Sequence, residues 1–179
     1  YNHRMGSGYH TINDSSSSLI FSGGYVDNTN RPLFPFGHGL SYTTFEVKDF
    51  VLSSSTLPTD GSIQASCYIT NTGEKNGDQV LQLYYHFSGA HVIRPCMQLV
   101  GFVRVNLDPG ESKHVTFTLQ AAALGYYNED MIFTVEPGPA ELMLGVSCDD
   151  CCASQSFEII GLPIDLMGKR CYGFDVQID

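Results

Sequence analysis

The densest set of chemically capable residues in this sequence is Cys148-Asp149-Asp150-Cys151-Cys152, with Cys171 further along. Its Cys-x-x-Cys spacing is one that tetrahedral zinc uses, because thiolates two residues apart can close on one ion. A complete site needs four ligands, and no second pair at that spacing follows, so Cys148, Cys151, Cys152 and Cys171 stand as a weak alternative to no metal at all. Export would favour a disulfide from Cys171 to one member of the cluster; a reducing compartment would leave thiols, which is the default reading. Carboxylates occur as the neighbours Asp149-Asp150 and Glu129-Asp130, both in turn-like sequence, where they read as solvated surface pairs rather than as a general acid and base. His3, His10, His38, His86, His91 and His114 contain no His-x-x-x-His pair of the kind that grips a metal on one element. No cofactor is implied.

The elements that would hold these residues are strands. From Thr44 onward, short runs rich in Val, Ile, Phe, Tyr and Thr alternate with turn signals, at intervals that predict an all-β sandwich. The expected strands lie near 44-52, 62-71, 78-87, 98-107, 112-120, 131-136 and 140-147, with further ones near 155-160 and 171-178. Asn71-Thr72-Gly73, Asp108-Pro109-Gly110 and Pro137-Gly138-Pro139 mark chain reversals. Val115, Phe117 and Leu119 alternate with His114, Thr116 and Thr118, which sends the apolar set to one face. Ile63, Ala65, Cys67 and Ile69 do the same, so Cys67 reads as a small buried hydrophobe. No helix of ordinary length is expected.

Residues 1-43 carry neither period. They are rich in Gly, Ser, Asn, Tyr and Pro, yet hold too many aromatics for disorder, and read as a long ordered segment that lays Phe34, Phe36 and Tyr42 against the sandwich, with looser structure from Gly6 to Ser18. The chain of 179 residues suits one core plus an appendage. A formal net charge of -10 would repel phosphate backbones and anionic membrane surfaces, which argues against nucleic acid and membrane as partners. No apolar run approaches the roughly 18 to 20 residues of a spanning helix. A first residue that is Tyr rather than Met implies a lost N-terminus, so the compartment stays open, with the reduced-thiol reading leaning to the cytoplasm.

Residues 32 to 45, Pro-Leu-Phe-Pro-Phe-Gly-His-Gly-Leu-Ser-Tyr-Thr-Thr-Phe, resemble the signature by which family 3 glycoside hydrolases pass into their C-terminal domain. Gly77 to Tyr85, Arg94-Pro95, Leu99 to Phe102, Leu107 to Ser112, Val115 to Leu119 and Val135 to Gly145 resemble that family's fibronectin type III-like domain in order and spacing. The resemblance implies a connecting segment over 1-43, entered through Tyr1-Asn2-His3 from a missing α/β sandwich domain, then an immunoglobulin/fibronectin type III-like β-sandwich over 44-161 and a C-terminal extension over 162-179. It also implies a β-glucosidase- or β-xylosidase-like parent that hydrolyses O-glycosidic bonds in a β-linked oligosaccharide or glycoside, with this fragment inactive alone. By the same resemblance the catalytic carboxylates would belong to the preceding domains. Retaining hydrolysis needs two carboxyl groups about 5 to 5.5 Å apart, and no pair in this chain has that context. The partners implied are the catalytic domains of the parent chain, with self-association a further possibility through uncovered apolar surface. Phe36, His38 and Tyr42 would shape the outer subsites of the parent, or simply anchor the strap. The competing reading is a stand-alone module binding carbohydrate or protein through Tyr84, Tyr85, Tyr126 and Tyr127, which the absence of Trp weakens.

Overall fold

A computed structural model describes residues 32-169, 171 and 173-179; the expectations for Tyr1-Asn2-His3 and for Gly6 to Ser18 lie outside that range. The described chain is built from strands, with a single 3-10 turn at Ala121–Leu124 and no α-helix. In order these are β1 (Phe45–Leu52), β2 (Thr56–Pro58), β3 (Ser62–Asn71), β4 (Gly77–Phe87), β5 (Gln98–Leu107), β6 (Ser112–Gln120), β7 (Tyr126–Tyr127), β8 (Phe133–Val135), β9 (Gly138–Ser147), β10 (Asp150–Ile160), β11 (Ile164–Asp165) and β12 (Phe174–Ile178).

Two sheets face each other, β1-β3-β6-β12 and β2-β10-β9-β4-β5, and a small sheet β11-β8-β7 extends them. The first, second and fifth long strands lie in one sheet and the third, fourth and last two in the other, which is the fibronectin type III variant of the immunoglobulin-like sandwich. Alternation explains the core. Ile63, Ala65, Cys67 and Ile69 of β3 and Val115, Phe117 and Leu119 of β6 are all buried, and they meet Leu81, Leu83, Tyr85 and Phe87 of β4 and Leu142 and Leu144 of β9. Tyr68, Thr70, His114, Thr116 and Thr118 take the opposite, solvent face, with Tyr68 and His114 paired in register and their rings 4.7 Å apart.

Turn chemistry accounts for the reversals. Glu111 N–H donates to Asp108 O at 2.9 Å across Asp108-Pro109-Gly110, and Gly110 has φ 77°, so Pro fills the position that wants a fixed negative φ and Gly the one that needs a positive one.

Three departures from the sequence reading have local causes. Strand β2 was not expected, because three residues in a Ser/Thr/Pro-rich stretch show no period; it pairs in parallel with β10 and buries Leu57 completely. Strand β10 starts at Asp150 rather than near 155, because Cys148-Asp149 alone closes the hairpin from β9, which places Cys151 and Cys152 within a strand. Within 131-136 only Phe133–Val135 is a strand, held by Tyr126–Tyr127 on one side and Ile164–Asp165 on the other.

Candidate functional site

Strand β4 is buried on both faces. Leu81, Leu83 and Tyr85 enter the core, while Gln82 and Tyr84 point the other way and are nevertheless 5% and 1% exposed. The strap leading into β1 is part of what covers them. Pro35-Phe36-Gly37-His38 forms a turn in which His38 N–H donates to Pro35 O at 3.0 Å and Gly37 has φ 80°. This turn sits directly on Gln82, whose Nε2 donates to Gly37 O at 3.0 Å and to Val146 O at 2.6 Å, while its Oε1 accepts from the Tyr84 hydroxyl at 2.6 Å. A Cβ at residue 37 would lie 2.0 Å from Gln82 Oε1, so both the backbone angle and the close approach demand glycine. Cys148 N–H, at the tip of the β9-β10 hairpin, donates to Phe36 O at 3.0 Å.

The other end of the strap is pinned through Asn71. This side chain is fully buried; its Oδ1 accepts from the Thr43 hydroxyl at 2.8 Å and from Gly73 N–H at 3.0 Å, and its Nδ2 donates to Lys75 O at 2.8 Å and Leu107 O at 3.0 Å. Thr72 N–H donates to Thr44 O at 2.9 Å. The strap is thus fastened through backbone and small polar groups while its large side chains face outward. Leu33, Phe34, Leu40 and Tyr42 are 87%, 67%, 92% and 94% exposed. The expectation that Phe34, Phe36 and Tyr42 would lie against the sandwich is corrected for Phe34 and Tyr42. Phe36, 42% exposed, is the member nearest that role.

Between the strap and the outer face of β4 and β5 runs a groove of about 410 Å³, whose lining includes Phe36, His38, Leu40, Val80, Leu99 and Phe102. Asp78 and Gln82 supply polar atoms at its edge. Hydrogen bonds from Asn106 and Arg104 hold the Asp78 carboxyl below the usual carboxylate range. Of the three strap residues singled out from the sequence, Phe36 and His38 line this groove, and His38 also packs on the Phe34 ring at 5.2 Å. Tyr42 is not among its lining residues. Gln82 and Asn71, which organise the site, carry no motif signal as single amides.

The cysteine cluster does not converge. Cys152 lies close enough to Cys67 to raise its pKa, whereas Cys148 and Cys151 act on Tyr84 across the opposite side of the sheet. The register of β10 against β9 shifts on both sides of Cys151, so regular alternation does not hold there, and Cys151 and Cys152 act on different aromatic and thiol neighbours. Burial raises the pKa of both thiols; Cys152, Cys148 and then Asp150 add to it at Cys151, and Asp150 adds to it at Cys152. Cys171 has its Sγ against Gly173 O at 3.8 Å. Among the described residues no group of three or more His, Cys, Asp or Glu side chains is placed to hold a metal ion.

Asp149 lies in the hairpin turn, Asp150 opens β10, and Glu129-Asp130 lie in another turn; all four are exposed. The aromatics proposed for a binding face are corrected: Tyr84, Tyr85 and Tyr126 are buried, and only Tyr127 is substantially exposed. Tyr126 is instead a platform for Arg94, whose guanidinium lies 4.4 Å above its ring, and its hydroxyl donates to Glu136 Oε2.

A profile of the fibronectin type III-like domain family matches residues 79–148. Those residues are a fibronectin type III-like domain. The relatives that this chain matches are glycosidases, matched in their C-terminal region. It is 46% identical over 122 residues to the periplasmic β-glucosidase of Salmonella typhimurium, covering 68% of this chain and 16% of that protein. It is 40% identical over 131 residues to a β-glucosidase of Bacteroides ovatus, covering 73% of this chain and 18% of the other. Among solved structures it resembles the β-glucosidase of Listeria innocua in complex with glucose, with TM-score 0.76 and 31% identity over 90% of this chain and 22% of that one. The resemblance to the C-terminal part of family 3 glycosidases therefore holds, and the chain spans 16% to 18% of the length of these two curated relatives.

Proposed function

We propose that this chain is the non-catalytic C-terminal module of a β-glycosidase, in which it buttresses the catalytic domains and lends its strap to the outer rim of their cleft. The observation that carries the reading is the division of labour in residues 32-44. The backbone of this strap is fastened to the sandwich at Phe36-Gly37 and at Thr43-Thr44, whereas Leu33, Leu40 and Tyr42 are held out in water at 87%, 92% and 94% exposure. Ordering a segment costs about 1 to 2 kcal/mol per residue, and a strap that presents apolar side chains to solvent recovers that cost only against another surface. The relatives, which are named as β-glucosidases and carry more than four-fifths of their length outside the match, indicate what that surface belongs to.

In the parent, the substrate is a β-linked glycoside or oligosaccharide, hydrolysed by carboxylates of the preceding domains. His38 and Tyr42 present exposed rings at the rim, and the Phe36 and Gly37 carbonyls hold the strap beneath them. The test is to express the polypeptide of the intact reading frame beside residues 1-179 and assay both on a panel of chromogenic β-glycosides. Hydrolysis by the longer protein alone supports the reading. Hydrolysis by the 179-residue chain, abolished by changing one of its own Asp or Glu residues, would overturn it. In the longer protein, Tyr42→Ala and His38→Ala are expected to raise KM for oligosaccharides more than for aryl monoglycosides.

A further inference from the structure

We propose that the groove between the strap and the outer face of β4 and β5 is a socket that receives an apolar side chain from the domain preceding the strap in the parent polypeptide. It rests on the reading of the chain as a C-terminal module.

The lining decides the chemistry of the occupant. Leu40, Phe102, Phe36 and Val80 are 92%, 55%, 42% and 37% exposed, an apolar surface gathered around about 410 Å³ of open space. Of the four polar side chains in the lining, His38, Asp78, Gln79 and Gln82, two are already engaged. Gln82 donates both to Gly37 O and to Val146 O and accepts from Tyr84, while Asp78 Oδ2 accepts from Arg104 and its Oδ1 from Asn106 at 2.7 Å. A sugar bound here would meet chiefly His38 and Gln79, too few donors and acceptors for the hydroxyls it would desolvate, which is unfavourable for burial of polar groups. An aliphatic or aromatic side chain meets no such penalty.

The source of that side chain follows from connectivity and charge. The strap that forms one wall is also the N-terminal end of the described chain, and the two curated relatives carry more than four-fifths of their length outside the match of 16% to 18%. A domain joined through this wall is presented to the groove at an effective concentration on the order of millimolar, so a modest apolar contact suffices to fill it. A second copy has no such advantage and must bring together two chains of net charge -10. The Gly37–Gln82 contact forms the base of the strap wall, so it sets where the preceding domain sits on the sandwich.

The experiment uses the full-length polypeptide and the 179-residue chain in parallel, each carrying Val80→Lys with Phe102→Ser, both at exposed positions. Tyr68→Ser, on the solvent face of the other sheet, is the control. In the 179-residue chain the double variant is expected to keep its cooperative melt within about 2 °C, which shows that the sandwich is intact. In the full-length protein it is expected to split the melt into two transitions and to speed proteolytic cutting within 32-44 by about ten-fold. The control changes neither. A full-length double variant that melts and is cut like wild type overturns the proposal. So does a concentration-dependent dimer of the 179-residue chain that the double substitution dissolves, or saturable shifts of groove resonances with cellobiose or laminaribiose. Loss of the underlying reading has a separate signature, a wild-type full-length protein without β-glycosidase activity.

Discussion

Asn71→Leu removes the buried amide that joins the strap, the turn after β3 and the end of β5, and its cost can be worked from the four bonds the side chain makes. The bond to Leu107 O is fully buried at 3.0 Å, and leaving that carbonyl unpaired costs about 1 to 3 kcal/mol. The bonds with Thr43, Gly73 and Lys75 are partly buried, so water recovers some of each, at about 0.5 to 1 kcal/mol apiece. Leucine returns about 1 kcal/mol of apolar burial in the same volume. The net loss is about 3 kcal/mol, a large share of the roughly 5 to 15 kcal/mol that holds a domain of this size. Urea denaturation of the 179-residue chain, followed by far-UV circular dichroism, would show a lower midpoint with an unchanged slope. Asn71→Asp adds a second test. The carboxylate it introduces keeps the acceptor side but faces the Lys75 and Leu107 carbonyls, so burial and repulsion raise its folded-state pKa above the unfolded value. Its destabilisation is then greatest above the raised folded pKa and shrinks as pH falls toward the ordinary carboxylate range, where a protonated oxygen can donate to one carbonyl. A loss below about 1 kcal/mol for Asn71→Leu, or no pH-dependent deficit for Asn71→Asp, would refute the assignment of Asn71 as the hub.

Three other outcomes are expected. Gly37→Ala places a methyl group against Gln82 at φ 80°, so the strap should undock while the sandwich melts within about 2 °C of wild type; hydrogen exchange would report lost protection of the Cys148 amide, and retained protection would count against the clamp. The Cys67 thiol is pushed up to about 12 by burial and then by Cys152, so stability present below the ordinary value of 9.0 is lost as pH rises through that window, by about 1.4 kcal/mol per pH unit. Urea midpoints measured above pH 9.0 should fall less steeply for Cys67→Ala than for wild type, and equal slopes would show that Cys67 is not the group concerned. The 179-residue chain should melt in one cooperative transition yet hydrolyse no β-glycoside, since its core is continuous across both sheets; a broad, non-cooperative melt would contradict this.

The sandwich was readable because its signals are local and redundant. From Ser62 to Thr70 in β3 and from His114 to Gln120 in β6 every second residue is apolar and every other one polar, so each strand announces both its conformation and its face. Asp108-Pro109-Gly110 names its own turn, because Pro and Gly are the residues that the two central angles require. Where periodicity fails, the reading failed with it. Tyr84 and Tyr85 fall on opposite faces of a strand buried on both, and adjacent aromatics in such a strand look the same from sequence as aromatics displayed to a ligand. Three-residue β2 is too short to show a period at all. Cys151 and Cys152 fell between the strands expected near 140-147 and 155-160, because nothing in the composition of Cys148 to Cys152 marks where a two-residue hairpin ends.

The site was legible only in part, and the reason is the kind of bond that builds it. The strap motif at 32-45 was visible as a string of Pro, Gly and aromatic residues, and aromatic anchoring is the natural reading of such a string. The structure reverses the roles. Carbonyls of Phe36 and Gly37 do the anchoring, to Cys148 N–H and Gln82 Nε2, and any residue supplies a carbonyl, so sequence cannot mark them. What sequence does mark is Gly37, because a positive φ and a forbidden Cβ exclude every other residue at low cost. The aromatics are then released from holding the strap and become available as surface. Anchoring by backbone with display by side chain is the arrangement expected of a segment that must stay in register with the sandwich while matching a second body, since either surface can then change without loosening the other. A strap anchored by Phe34 and Tyr42 would have spent on its own domain the apolar area that the exposed rings now offer to a neighbour.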